Sequence, residues 1–436
     1  MFQPPAKVGR GRVETSVLRW SRQMIQRRAA LFLGIILASL PVAAQRPVAK
    51  TEALFAQINE LTATLSEITG WPVRRRVPAE VISKAKFQSY LQSHTRSKSN
   101  QKEIRAEETA LKMFGLVPAD FNLARETEDL LGEQAAAYYD YKKKRLYVLD
   151  STPEGDESRM ALVHELAHAL ADQQHPLGTY LDANSIDSDA STAREAVMEG
   201  QATWLTWAYE AKRAGMKAEV PAGRINQLTQ PQEATPEFPV LSATPLYMRE
   251  SLLFPYNAGA RFQDAVYRSM GKSAFETVFA RGPKSTHQIL HPEEYVERKE
   301  FAAPKAPSYE MWLGKLAHQM DGQIESTLGE FDYAVLLRQY IGEPDANLVA
   351  SRLHGSGFRL YQHKKEKYSV LAHWSEWESP AAARAYFDGY QRVLKGKWKR
   401  FTVASSTKNG VRGEGDSGKF VLRIDGARVQ CLEGLR

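Results

Sequence analysis

The stretch Val163-His164-Glu165-Leu166-Ala167-His168-Ala169-Leu170 contains the pattern His-Glu-x-x-His, around which the rest of the chain can be interpreted. On a helix, residues four positions apart lie on one face, so the imidazoles of His164 and His168 can reach the same metal ion. Glu165 lies roughly 100° around the helix from His164, where its carboxylate can reach a water bound to that ion. The pattern therefore predicts a hydrolytic zinc site.

The residues around this motif predict a buried helix over residues 159–174. Apolar side chains cover most of its circumference, which is typical of a helix inside a core. Two histidines and a glutamate in such a helix need polar partners. A metal ion would supply partners to all three. The alternative is that the two histidines pair with neighbouring carboxylates and bind no metal.

The third ligand must come from another element, and two carboxylates compete for the role. Glu195 and Glu199 lie four positions apart in a predicted helix that begins near residue 191. Thr192 and Glu195 match a capping box, which gives Glu195 a structural role or a place beside a ligand histidine. Glu199 lies one turn further along and precedes Gly200, which permits close approach of backbone or metal. We therefore favour Glu199, with Glu195 as the alternative.

Three segments together resemble a known family. They are Glu199-Gly200-Gln201-Ala202, Pro255-Tyr256-Asn257-Ala258-Gly259 and the segment from Ser285 to Pro292. With the histidine motif, they make residues 138–294 similar to the gluzincin zinc metallopeptidases, in particular to uncharacterised secreted bacterial members. The resemblance implies a zincin-like fold and a Zn²⁺ ion whose third ligand is Glu199.

The resemblance also implies how peptide bonds would be hydrolysed. Glu165 would be the catalytic base that takes a proton from zinc-bound water and passes it to the leaving amine. Tyr256 and His291 are the candidate donors to the oxyanion, because gluzincins often use a downstream Tyr or His for this purpose. Ordinary packing remains the alternative role for each of these two residues. The substrate would be a peptide or protein.

Two other classes of function remain open. One is a zincin-fold protein that acts on something other than a peptide. The other is a binding or assembly module that keeps zinc for structural reasons. A closed shell, completed by Glu165 or His175, would indicate the structural role, whereas three protein ligands and a water would indicate an enzyme. Neither the oligomeric state nor a side-chain preference for cleavage follows from the sequence.

The first 44 residues resemble an export signal. Arg27-Arg28 precedes an apolar run over residues 29–40, and Val42 and Ala44 are small residues at the positions that a signal peptidase reads. The run is short for a membrane span, although an uncleaved anchor is the alternative. We therefore expect an exported protein, periplasmic or extracellular, with no stable membrane span after cleavage. The start codon is Met1 or Met24.

Charge and cysteine content exclude other classes. The net charge of +7 comes mostly from residues 1–44, which contain seven basic residues and one acidic residue. The remaining 51 basic and 50 acidic residues nearly balance, so the body of the protein has no charge signature of a nucleic-acid binder. Cys431 is the only cysteine and cannot form an internal disulfide.

Periodicity and composition predict an α+β protein of two domains after the export signal. Residues 45–343 are expected to form the mainly helical zincin-like domain, with a β-hairpin at 135–149 before the histidine-motif helix. Residues 344–436 are expected to form a small α+β unit. Further elements are predicted as helices over 51–69, 81–92, 103–114, 254–270 and 380–394, and as strands over 358–363, 368–374, 399–404, 419–424 and 427–432, with Gly-rich turns between the later strands.

Overall fold

The computed structural model describes residues 34–35, 48–152, 155–182, 187–227, 238–299 and 304–436. The predicted export signal therefore lies outside the described residues, apart from Gly34–Ile35. The fold is α+β, with a largely helical N-terminal part that contains a four-stranded sheet and a C-terminal part built on a seven-stranded antiparallel sheet. Among the described residues, no helix combines the length and the hydropathy that are needed to cross a membrane.

The smaller sheet contains the predicted hairpin. Its strands are β1 (Gly34–Ile35), β2 (Ala79–Ile82), β3 (Ala135–Asp140) and β4 (Arg145–Leu149), in the spatial order β1-β3-β4-β2. β3 and β4 pair antiparallel across the lysine-rich turn, where Lys144 has a φ of 55°. β2 joins β4 in parallel, and β1 pairs antiparallel with the outer side of β3. The hairpin prediction is confirmed.

Within the described ranges, four helices precede the histidine motif. They are α1 (Val48–Thr69), α2 (Lys84–Thr95), α3 (Lys98–Phe114) and α4 (Leu123–Gln134). The prediction of a helix over 81–92 is wrong at its start, because Val81 and Ile82 belong to strand β2. The helix begins only after Ser83, whose Oγ accepts a hydrogen bond from the backbone N–H of Lys86 at 3.1 Å.

The histidine motif lies on helix α5 (Asp156–Gln174), as predicted. Leu162, Val163, Leu166 and Leu170 are all at most 1% exposed and pack into the main core. The helix contacts α1 on one side and strand β3 on another. The motif is therefore held in the interior between the hairpin and the helices that follow.

Eight helices follow α5 in the helical part. They are α6 (Leu177–Asp182), α7 (Ser188–Arg213), α8 (Ala222–Gln227), α9 (Pro239–Ala243), α10 (Leu246–Met270), α11 (Ser273–Ala280), α12 (Thr286–Leu290) and α13 (Pro292–Val296). The predicted start of α10 at Phe254 is wrong. The helix begins two turns earlier and contains Pro255 in its interior, where the missing N–H leaves one helical hydrogen bond unmade.

The C-terminal part is built on the seven-stranded sheet. Its elements are α14 (Tyr309–Leu313), a 3₁₀ helix (Gly314–Gln319), β5 (Met320–Ser326), α15 (Glu330–Ile341), α16 (Glu343–Ala350), β6 (Leu353–His363), β7 (Ser369–Trp377), α17 (Pro380–Lys397), β8 (Phe401–Thr407), β9 (Gly410–Gly415), β10 (Gly418–Asp425) and β11 (Arg428–Leu435). The spatial order is β5-β6-β7-β11-β10-β9-β8. Strand β5 lies before residue 344, the predicted start of the C-terminal unit, and yet it pairs with β6 of this sheet.

One strand of this sheet differs from the predicted elements. Residues 410–415, expected within a glycine-rich turn, form strand β9 between β8 and β10. A Cβ on Gly413 would lie 2.0 Å from the carbonyl oxygen of Thr402, and one on Gly415 would lie 2.1 Å from the Trp398 ring. The glycines are therefore required by close packing across the strand rather than by a turn.

One hydrophobic cluster runs through both parts of the molecule. It contains Leu166 and Trp204 from the helical part together with Trp377 and Phe420 from the C-terminal part. Phe114, at the end of α3, packs edge-on against Phe358 of β6 with ring centroids 5.2 Å apart. The two parts therefore share a continuous core.

Candidate metal centre

Helices α5 and α7 bring three potential metal ligands together. His164 Nε2 lies 3.0 Å from Glu199 Oε2 and 3.1 Å from His168 Nε2, and His168 Nε2 lies 3.3 Å from the same carboxylate oxygen. Glu199 is fully buried, and the two histidine side chains retain 7% and 5% of their surface. The two histidines come from one turn of α5, and the glutamate comes from the helix that packs against it.

The spacing of these three atoms fits a tetrahedral metal ion. With metal–ligand distances of about 2.0–2.1 Å, neighbouring ligand atoms in a tetrahedron lie about 3.3 Å apart. The three measured separations, 3.0 to 3.3 Å, are close to this edge length. Two imidazoles and a carboxylate are also a donor set that zinc accepts. The residues present therefore fit a zinc ion.

Two glycines allow α7 to approach α10. A Cβ on Gly200 would lie 2.0 Å from the carbonyl carbon of Gly259, and a Cβ on Gly259 would lie 2.0 Å from the carbonyl oxygen of Ala196. The helix backbones are therefore in contact where the two helices cross. This crossing places Glu199 of α7 and Tyr256 of α10 in the same region. Gly200 thus serves the approach of backbone, one of the two roles anticipated for it.

The catalytic-base candidate is fixed by the hairpin. Glu165 is fully buried, and its Oε2 accepts a hydrogen bond of 2.6 Å from the backbone N–H of Tyr139 in β3. This hydrogen bond fixes the orientation of the carboxylate. Glu165 is not one of the three converging ligands, as its position one residue after His164 predicts.

Burial and the two imidazoles act in opposite directions on Glu199. Burial raises the pKa of its carboxyl, but the charges of His168 and His164 and their hydrogen bonds outweigh burial and lower the pKa to about 2. The carboxylate is therefore ionised at neutral pH, which is the form that binds a cation.

Tyr256 lies beside the three ligands. Its ring stacks on that of His164, with centroids 5.8 Å apart and planes 28° from parallel. Burial, and then the negative charges of Glu199 and Glu165, raise the pKa of the phenol well above its ordinary value. Tyr256 therefore remains neutral and keeps a hydroxyl proton to donate.

His291 lies in a different cluster. Its Nε2 is 3.1 Å from both carboxylate oxygens of Glu330, and its ring centroid is 4.3 Å from that of His287. The structure therefore brings Tyr256 into contact with His164 and places His291 in the other cluster. The role predicted for His291 as an oxyanion donor gains no support from these contacts.

The capping box proposed for Glu195 is wrong. Helix α7 begins at Ser188, and its N-cap is Asp187, whose Oδ1 accepts a hydrogen bond from the backbone N–H of Ala190 at 3.0 Å. Glu195 is therefore in the second turn of the helix, and it lines a small cavity with Glu107 and Asp332. It is not one of the three converging residues, and its charge makes a minor contribution to the raised pKa of Tyr256.

His175 is not a fourth ligand. Its Nε2 is 2.8 Å from Glu276 Oε2, and its ring stacks on Phe279 with centroids 5.1 Å apart. Across the described ranges, no fourth His, Cys, Asp or Glu joins the group that contains His164. A zinc ion held by His164, His168 and Glu199 would thus have three protein ligands from this group and could take a water as its fourth.

Asp172 is a site-supporting residue that sequence reasoning missed. Its buried carboxylate accepts hydrogen bonds from the Tyr139 hydroxyl at 2.8 Å, Lys144 Nζ at 2.7 Å and the backbone N–H of Leu177 at 3.0 Å. It lies eight residues after His164, about two turns further along the same face of the helix. A buried acidic residue at that spacing is the signal that could have identified it.

Comparisons with known proteins give no relative for this chain. No protein-family model matches it, and neither the curated proteins nor the solved structures include a significant match. The gluzincin resemblance therefore remains an interpretation of the sequence motifs.

Proposed function

We propose that this protein is an exported zinc-dependent metallopeptidase. The observation that carries the proposal is the convergence of His164 Nε2, His168 Nε2 and Glu199 Oε2 within 3.3 Å of one another, next to Glu165, a second acidic residue that is not one of the three. A peptide substrate and export are supported by the sequence motifs alone. Geometry thus supports the metal site, whereas the substrate class rests on the resemblance.

The residues divide the chemistry between them. A zinc ion bound to the three ligands would act as a Lewis acid and lower the pKa of a water ligand toward about 7. Glu165, oriented by the Tyr139 N–H, would accept the proton of the attacking water and deliver it to the leaving amine. Tyr256 would donate its hydroxyl hydrogen bond to the oxyanion, since its raised pKa keeps it protonated.

The rival proposal is a binding or assembly protein with a structural zinc ion. It requires a fourth protein ligand, and the two candidates are engaged elsewhere. His175 pairs with Glu276, and Glu165 accepts the hydrogen bond from Tyr139. X-ray absorption spectroscopy of the zinc-loaded protein distinguishes the two functions. An enzyme would show three protein ligands and one further oxygen ligand, which added anions would displace.

The decisive experiment compares wild type with Glu165→Gln. We expect both proteins to retain zinc, and we expect digestion of a broad peptide library to fall by about 10²–10⁴-fold in the variant, which is the usual contribution of a general base. Glu60→Gln, on the exposed face of α1, is the matched control and should digest peptides as wild type does. A Glu165→Gln protein that retains zinc and full activity would show that the mechanism is wrong.

A further inference from the structure

A second group of two histidines and a carboxylate lies where α12, α13 and α15 meet. His287 Nδ1 is 2.5 Å from Glu330 Oε2, and His291 Nε2 is 3.1 Å from each oxygen of the same carboxylate. The potential ligand atoms of the three residues all lie within 4.8 Å of one another. The group is separate from the one on α5, and the proposed peptidase chemistry does not use it.

The carboxylates around this group need positive charge nearby, either protons on the imidazoles or a bound cation. Burial lowers the pKa of His287, but Glu330 and Glu294 outweigh burial and raise it. Besides Glu330, the Glu294 carboxylate lies 3.1 Å from His287 Nε2, and Glu293 lies 3.8 Å from His291 Nδ1. The ammonium of Lys299 is 3.3 Å from Glu294. With both imidazoles neutral, three carboxylates and one ammonium leave two negative charges, which a single divalent cation would neutralise.

The outer contacts of His287 are those of a metal-binding histidine. One ring nitrogen, Nδ1, faces Glu330, and the other, Nε2, faces Glu294. A ligand histidine usually donates the N–H of its non-coordinating nitrogen to a carboxylate, which fixes the ring and increases its basicity. Glu294 occupies that position for His287. The arrangement therefore provides both a ligand nitrogen and the partner that orients it.

Hydrogen bonds at the N-terminus of helix α15 hold Glu330 in place. It is the first residue of α15, and the Asp332 carboxylate accepts the N–H of Gly329 at 2.8 Å. The N–H of Phe331, two residues further on, donates to the hydroxyl of Thr286, at the start of α12, at 3.3 Å. Burial raises the pKa of the Glu330 carboxyl, but hydrogen bonds from the two histidines outweigh it and leave the pKa below its ordinary value. The carboxylate is thus fixed and ionised.

We propose that His287, His291 and Glu330 form a second divalent transition-metal site, with Zn²⁺ as the cation that best suits two imidazoles and a carboxylate. The 3.1 Å separations between His291 and Glu330 fit the edge of a coordination polyhedron. The 2.5 Å hydrogen bond from His287 lengthens to about 3 Å when both atoms bind one ion. His291 is 31% exposed and Glu330 is 7% exposed, so the cation enters from the His291 side.

The position of the site defines its effect. His287 and His291 lie at the α12–α13 corner of the helical part, and Glu330 begins α15, the helix that follows strand β5 of the large sheet. A cation bound here fastens these two elements directly. Binding of metal to the folded state alone stabilises that state, so the melting temperature should rise with the concentration of Zn²⁺.

The test is the zinc stoichiometry of the untagged full chain. After metal removal with a chelator and saturation with Zn²⁺, we expect two equivalents in wild type, one in His291→Gln, one in His168→Ala and none in the double variant. His354→Ala, which removes an exposed histidine on β6, is the control and should retain two. Zn²⁺ should raise the melting temperature of His168→Ala but not that of the double variant.

A further variant separates a designed site from loose binding by a histidine pair. Glu294→Gln removes the charge beside His287 Nε2, together with the exposed ion pair to Lys299, and leaves the three ligands in place, so the second equivalent should remain with a Kd about 10–100-fold weaker. The proposal is overturned if His291→Gln keeps the wild-type stoichiometry, or if His168→Ala binds no zinc. If His291→Gln loses one equivalent while His168→Ala loses none, the second site stands and the proposed peptidase centre fails.

Discussion

Gly200 and Gly259 face each other where α7 crosses α10, so closely that a Cβ on Gly200 would lie 2.0 Å from the carbonyl carbon of Gly259. This contact sets the positions of two site residues at once. Glu199 is adjacent to the first glycine, and Tyr256 lies three residues before the second. The geometry of the metal centre therefore depends on a pair of residues that have no side chains.

Substitution Gly200→Ala should separate the two helices. Because the atom it meets is backbone, the cost cannot be relieved by a rotamer change, and we expect a loss of about 1–3 kcal/mol or more in the free energy of unfolding. Zinc affinity should also fall, since Glu199 moves with its helix. Chemical denaturation and zinc titration would measure both effects.

The matched control is Gly132→Ala in helix α4. A Cβ there meets nothing within 4 Å, so alanine should be neutral or stabilising by up to about 1 kcal/mol. Equal destabilisation by the two substitutions would contradict the role assigned to the helix crossing.

Substitution Tyr256→Phe should retain zinc and lower the turnover number. The variant loses only the hydroxyl proposed to donate to the oxyanion, and loss of one such donor costs about 10²–10³-fold in kcat. The measurement is steady-state hydrolysis of a peptide identified by the library digest. Tyr267→Phe, on the same helix but packed against Trp204, is the control. Unchanged kcat in the Tyr256 variant would remove this residue from the mechanism.

Substitution Asp172→Asn should loosen the hairpin from helix α5. The neutral amide cannot pair with Lys144, and the Tyr139 hydroxyl loses an ionised acceptor, so we expect a loss of roughly 2–4 kcal/mol. The unfolding midpoint in denaturant measures it. Asp129→Asn, which removes an exposed ion pair with Arg125, should cost less than about 1 kcal/mol. Comparable losses would show that Asp172 does not fasten the hairpin.

Acid should destabilise the protein through Glu433. Burial raises the pKa of this carboxyl, but Lys397, 2.7 Å away, together with His373 lowers it from the ordinary 4.5 to about 2. The unfolded chain binds a proton below pH 4.5 whereas the folded chain does not, so the contribution of the pair is complete above pH 4.5 and is lost as the pH falls toward 2.

Two variants test this dependence on pH. Lys397→Met alone leaves Glu433 charged and buried, and it should cost about 3–5 kcal/mol at pH 7. The double variant Lys397→Met/Glu433→Gln removes both charges and should flatten the loss of stability between pH 4.5 and 2. Denaturant unfolding across this range gives the slopes, and identical slopes in wild type and the double variant would contradict the assignment.

The sequence predicts those features of the fold and the site that local periodicity and residue spacing determine. The spacing of His164 and His168 predicts their convergence on one helix face, and alternation predicts the hairpin before them. The preference for Glu199 over Glu195 rests partly on a capping box of Thr192 and Glu195, which the structure shows to be wrong. The helix begins one turn earlier, at the Asp187 cap, and Glu199 meets the histidines because of how α7 packs on α5.

The sequence does not predict what depends on distant contacts. The resemblance implies that His291 lies beside the predicted zinc site. Its contact with Glu330, 39 residues further along the chain, instead places it in another cluster. The β9 segment resembles a turn because its glycines are usually found there, whereas here they accommodate the Trp398 and Phe420 rings. Such contacts are fixed by tertiary packing, which local patterns in the sequence do not reveal.

Strand β11 lies in the interior of the seven-stranded sheet, hydrogen-bonded to β7 on one side and β10 on the other. It also carries Glu433, the counter-charge of the buried Lys397. A chain that still lacks β11 has a gap between β7 and β10, and its Lys397 ammonium has no carboxylate. The sheet can therefore close only when residues 428–435 are in place, and until then β7 and β10 each expose an unpaired edge.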